Sequence, residues 1–161
     1  MKKITCIVLL FLVLAVNTFA DNHDGFGIGT GFYGGYGYGP GLLLKTPVLP
    51  LYWGINISVR GIPDEQYFGI SLSGDYHFID KTFPNTEKTG WFLGGGIIFS
   101  HSHFDGKNGF AGRIPAGIYF TPAKHFDFIL ELAPGAGFYA FDSKIEGDYG
   151  MSGLLGVRYW F

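Results

Sequence analysis

The chain has 161 residues, among them 27 Gly, 17 Phe, 10 Tyr and 3 Trp, with only 15% charged residues and a formal net charge of −2. An ordinary soluble domain carries about 25% charged residues, and a nucleic-acid-binding domain carries a basic patch; neither description fits. One cysteine, Cys6, excludes a disulfide framework.

The first segment, MKKITCIVLLFLVLAVNTFADN, opens on Lys2 and Lys3 and runs apolar from Ile7 to Val16. It then sets small residues, Thr18 and Ala20, at the positions a signal peptidase reads. The expectation is a signal peptide over residues 1–20, too short to anchor in a bilayer, which takes roughly 20 apolar residues. Cys6 falls inside it. Residues 21–161 are expected to form one domain, exported and without disulfides.

That domain reads as strand and turn throughout. Phe26, Ile28, Thr30 and Phe32 alternate with glycines, and a second run from Tyr38 to Thr46 returns before the proline-marked turn Pro47–Pro50. LYWGINISVR sets Leu51, Trp53, Ile55, Ile57 and Val59 against Tyr52, Gly54, Asn56, Ser58 and Arg60. YFGISLSGDYHF sets Phe68, Ile70 and Leu72 against Ser71, Ser73, Asp75 and His77. WFLGGGIIFS, FAGRIPAGIYF, FDFILEL and the closing DYGMSGLLGVRYWF repeat the design, with Arg113, Asp127, Glu131 and Arg158 on the polar side and Trp160 on the same face as Arg158. Strand side chains alternate between two faces, so each segment has an apolar face, often bounded by aromatic rings. Strands of about 10 residues with aromatic girdles are the pattern of a transmembrane barrel. Glycine throughout, at about 1 kcal/mol per helix-interior position, disfavours helices.

The expected strands lie near 26–32, 38–46, 51–61, 67–79, 90–101, 109–121, 125–141 and 149–161. The fold class is therefore all-β, an eight-stranded antiparallel up-and-down transmembrane β-barrel. With the first strand leaving the periplasm, the links at 47–50, 80–89 and 121–124 face the periplasm. Those at 34–37, 62–66, 102–108 and 142–148 face outward.

The chain closes on Leu155, Val157, Tyr159 and Phe161 at every second position, ending on an aromatic ring. This resembles the C-terminal signature that the barrel-assembly machinery reads in outer-membrane barrels. Residues 21–161 are similar to the small eight-stranded outer-membrane barrels typified by the transmembrane domain of outer membrane protein A and by outer membrane protein X. GRIPAGIYFTPAKHFDFILELAPG is similar to a strand, turn and strand of uncharacterised members of that group. The resemblance implies an outer-membrane location, lipid as surroundings and the assembly machinery as a partner during biogenesis. It does not extend to a periplasmic peptidoglycan-binding domain.

The polar faces carry Arg60, Asp75, His77, Arg113, Asp127, Glu131 and Arg158. An eight-stranded barrel is just wide enough for its interior to fill with side chains, and buried charges need partners. These seven are expected to form a lumen ion-pair network. It serves either to fill and rigidify the barrel or, as the resemblance implies, to gate a narrow pore in which an arginine changes carboxylate partners. His101, His103 and Asp105 offer a weak zinc spacing, better read as rim polarity, so no metal or other cofactor is expected. Ser100 and Ser102 near these histidines admit a lipid-modifying enzyme, but no catalytic motif accompanies them and none is expected. A soluble lipocalin-like barrel with the apolar face inward is the rival architecture. The leading expectation is a structural or surface-interaction protein of the cell envelope, its outer loops open to a host or environmental ligand.

Overall fold

The computed structural model describes residues 25–35, 38–47, 49–62, 65–103 and 106–161; of residues 59–67 it describes no side chains. The leader expected over residues 1–20 lies outside the described residues.

Nine antiparallel strands form one sheet: β1 Gly27–Gly34, β2 Gly39–Lys45, β3 Leu51–Ile62, β4 Glu65–Thr82, β5 Thr89–Ser102, β6 Asn108–Arg113, β7 Ala116–Ala123, β8 Phe126–Phe141 and β9 Lys144–Trp160. The sheet closes into a ring because β9 pairs with β1 from Gly27↔Trp160 to Gly34↔Gly153. Closure removes the open edge that would otherwise leave a row of unpaired backbone groups.

The segment expected as one strand over 109–121 is divided. β6 and β7 both pair with β5 and with β8, β6 along one half of these neighbours and β7 along the other. The break falls at Ile114 and Pro115. Proline has no N–H to give the ladder, yet the neighbours hold the gap through Gly94 N–H to the Pro115 carbonyl at 2.8 Å and Ile114 N–H to the Pro134 carbonyl at 2.9 Å.

Two strands run further than their sequence suggests. β9 begins at Lys144, so the expected link over 142–148 shrinks to Asp142 and Ser143, both at positive φ (45° and 65°). That conformation matches a two-residue hairpin turn to the twist of its strands. Among the described residues, β9 from Lys144 to Ser152 pairs with β8 and not with β1. β4 continues to Thr82 through an irregularity between His77 and Ile79. A bulge of this kind adds one residue and shifts the alternation of faces.

The faces are sorted by chemistry. Phe32, Leu42, Ile97, Phe128, Leu130 and Leu132 are among many large apolar side chains exposed on the outside, while Lys45, Asp75, Arg113, Asp127, Glu131 and Arg158 are buried inside. Inward glycines make room for inward rings. A Cβ on Gly54 or Gly41 would strike Tyr33, one on Gly117 would strike Phe92, and one on Gly90 would strike Tyr119. Large side chains opposite absent ones let a narrow ring fill without strain.

Aromatic rings gather outside at both ends. At one end Phe26 and Phe161 lie 5.8 Å apart, and Tyr159 meets Phe161 and Phe126 edge-on, each at 5.0 Å. At the opposite end Phe32 meets Tyr38 at 5.3 Å and Phe110 meets Phe138 at 5.9 Å. Between them lies an aliphatic band interrupted by Thr30, whose hydroxyl donates to the Gly41 carbonyl at 3.0 Å.

Candidate functional site: the barrel lumen

The lumen is built in three tiers. Alternation along β4, β6 and β8 carries Asp75, Arg113 and Glu131 inward to one level. Arg113 clamps Asp75 with two parallel bonds, Nε to Oδ1 and Nη2 to Oδ2, each 2.8 Å. Nη2 also pairs with Glu131, and Nη1 donates to Ser152 Oγ at 3.3 Å. A planar guanidinium suits this two-pronged grip. The arginine thus holds two carboxylates from strands on either side of it, β4 and β8.

Nearer the end that carries Phe26 and Phe161 is a second charged tier. Arg158 Nη2 donates to Asp127 Oδ2 at 3.1 Å. The same carboxylate accepts from Trp160 Nε1 at 2.6 Å and from Thr121 Oγ1 at 2.7 Å. The Arg158 guanidinium lies over the Trp160 ring at 4.3 Å and over Tyr52 at 4.9 Å, and Lys45 sits over Trp160 at 5.6 Å.

From Tyr52 the stack continues across the lumen. The His77 ring lies 3.8 Å from Tyr52 and 4.3 Å from Phe92, nearly parallel to both. Tyr52 Oη donates to Asp80 Oδ2 at 3.2 Å. A column of planes from Trp160 through Arg158, Tyr52 and His77 to Phe92 therefore fills the section between the two charged tiers.

Towards the other end the lumen becomes polar and uncharged. Asn56 Nδ2 donates to the Gly39 carbonyl at 3.0 Å, and its Oδ1 accepts from Ser71 at 3.0 Å and Ser58 at 3.3 Å. Every heteroatom in this cluster has its complement, as buried polar groups require.

The expected single network of seven residues is thus two clusters. Asp75, Arg113 and Glu131 form one, and Asp127 and Arg158 the other. His77 belongs to neither; it packs as a ring. Arg60 lies in β3 opposite Tyr67, and its side chain is outside the described residues. Leu155 and Phe161 are exposed, and Val157 and Tyr159 partly so, on the outward face of the closing segment. Tyr52 and Trp160 lie on the polar faces that alternation gives, while two lumen residues, Lys45 and Asp80, escape a reading by alternation.

At the rim, His101 Nδ1 lies 2.9 Å from Asn108 Oδ1 and His103 is exposed. Asp105 lies outside the described residues. Among the described residues no three His, Cys, Asp or Glu side chains gather as metal ligands. Ser100 and Ser102 share the inward face of β5, and neither has a histidine within hydrogen-bond distance among the described contacts.

Between the tiers remains a cavity of about 30 Å³ bordered by Asp75, His77, Phe92, Arg113, Glu131 and Arg158. A water needs at least about 10–15 Å³ on this measure, so the cavity has room for roughly two. Nothing the size of a metabolite fits. Comparison with family models, with curated proteins and with solved structures returns no match.

Proposed function

We propose that the protein is an integral outer-membrane barrel of eight staves, β6 and β7 together forming one, with a side-chain-filled lumen and a structural or surface-interaction role in the cell envelope. The observation that carries this is the inversion of the usual sorting, with paired charges inside and an apolar belt edged by aromatic rings outside. A soluble monomer seldom exposes a continuous apolar patch beyond a few hundred Å², whereas a barrel in lipid needs such a band. The same sorting speaks against a lipocalin-like carrier, whose apolar face encloses its ligand. Similarity to small outer-membrane barrels, the aromatic close at Phe161 and the leader-like residues 1–20 support the same reading. The β8–β9 hairpin rises beyond β1 with Ile145 and Tyr149 74% and 87% exposed, a surface to offer outside the cell.

A second reading, a narrow channel, is favoured by the cavity beside Arg113 and by the two carboxylates that share this arginine. A small rearrangement there would open the tier to water and small ions.

Topology tests the main reading. Residues 21–161 contain no cysteine, so Asp142→Cys and Lys124→Cys each place a single thiol. On intact cells a membrane-impermeant maleimide is expected to label the first and to leave the second unlabelled until the outer membrane is opened. Equal labelling of both on intact cells, or of neither, would contradict the orientation and the surface role.

A further inference from the structure

We infer that His77 is a proton-binding site that operates the lumen plug, protonation driving its ring out of the stack between Tyr52 and Phe92 and opening the cavity between the charged tiers. The inference rests on the closed, lipid-embedded barrel proposed above.

The starting point is an anomaly. His77 is 3% exposed, and both ring nitrogens are buried without a hydrogen-bond partner. A phenylalanine would stack equally well and leave no polar atom unsatisfied. A buried polar group without a partner calls for an explanation, and imidazole is the side chain whose charge changes between about pH 5 and 8.

The neutral ring suits the stack. Its faces lie on Tyr52 and Phe92, and its edge borders the cavity. An imidazolium does not suit it, because it carries two N–H donors and needs acceptors that the stack lacks. Among the described side chains the lumen cations are Lys45 of β2, Arg113 of β6 and Arg158 of β9, the last across the Tyr52 ring at 4.9 Å. Each carboxylate facing the same interior already has partners. Asp75 and Glu131 hold Arg113, Asp127 holds Arg158, Trp160 and Thr121, and Asp80 accepts from Tyr52. Among the described residues the phenols of Tyr33 and Tyr52 also border this cavity. A charged His77 finds its acceptors by turning into the cavity, towards water and the carboxylates of the Arg113 tier. Leaving the stack removes the middle plane of the plug.

The test is potassium leak from lipid vesicles carrying the purified protein, measured between about pH 7.5 and about pH 4.5. Wild type and His77→Phe are compared, with the unboiled gel mobility of both recorded at each pH. Leak through wild type is expected to rise on acidification, by up to about tenfold per pH unit where the ring is mainly neutral, since one proton is taken up. His77→Phe keeps its stack and is expected to stay at the neutral-pH level. An equal acid response in both proteins, or none in a folded wild type, would overturn the inference while leaving the barrel standing. An acid leak accompanied by loss of the folded mobility would also overturn it, by showing global unfolding. Absence of a folded form at every pH would overturn the barrel reading itself.

Discussion

Arg113 is the residue on which the lumen depends most. It neutralises two buried carboxylates, and removing one partner of a buried pair costs about 3–5 kcal/mol because the other charge is left uncompensated. Arg113→Ala is expected to lower stability by about that amount, read as a shifted urea midpoint in lipid vesicles. Replacing the cluster together, Arg113→Met with Asp75→Leu and Glu131→Met, is expected to recover most of the loss, since apolar groups of similar volume leave no orphan charge. A triple variant as unstable as the single one would show that the ion pair supplies something packing cannot. That Asp75, His77, Arg113, Asp127, Glu131 and Arg158 lie on the polar faces of their strands was legible from alternation; the ring turns those faces inward. The place of Asp80 was not legible, because the irregularity after His77 shifts the faces and no residue there announces it. Lys45 was hidden at the end of a glycine-rich segment with little pattern. Tyr52 and Trp160 fall on the polar faces by alternation, but it is the register of the β8–β9 and β3–β4 hairpins that brings Trp160 to Asp127 and Tyr52 to His77.

At the scale of the element, glycine acts by absence. Gly54 faces inward, and a Cβ there would crowd Tyr33 Oη and Ser73 Oγ. Gly54→Val is expected to cost about 1–3 kcal/mol by overpacking, and Gly54→Val with Tyr33→Ala to recover part of it, both read from the same denaturation midpoint. Ser143 holds a φ of 65°, which costs a non-glycine residue free energy. Ser143→Gly is therefore expected to stabilise the β8–β9 hairpin by about 0.5–1 kcal/mol. Slower exchange of the Ile145 and Tyr149 amides would register this change, and unchanged or faster exchange would contradict it. Seven of the eight expected strands correspond to single strands of the sheet, while the one over 109–121 is broken at Ile114 and Pro115. The proline was visible, but a proline beside a ring of glycines is compatible with a bulge, an edge or a break. The register of β5 and β8 decides among these. Residues 144–148 read as a link because Lys144, Glu146 and Asp148 are charged. Their alternation with Ile145 and Tyr149 is nevertheless that of a strand, held by β8 across a two-residue turn.

For the whole molecule, the decisive property is which face meets which medium. The sequence left open whether the apolar faces point in or out, since alternation is symmetric between the two. The ring places them outward and the charges inward, and this sorting is what lipid would stabilise. Trp53 lies on the outward face, 37% exposed, while Trp160 is 3% exposed inside. In vesicles whose acyl chains carry bromine, a quencher on contact, strong quenching of the outward indole emission is expected, with a Trp53→Phe variant losing a large part of the quenched signal. A protein that stays in the aqueous phase, with tryptophan emission unaffected by brominated chains, would contradict the membrane barrel at its root.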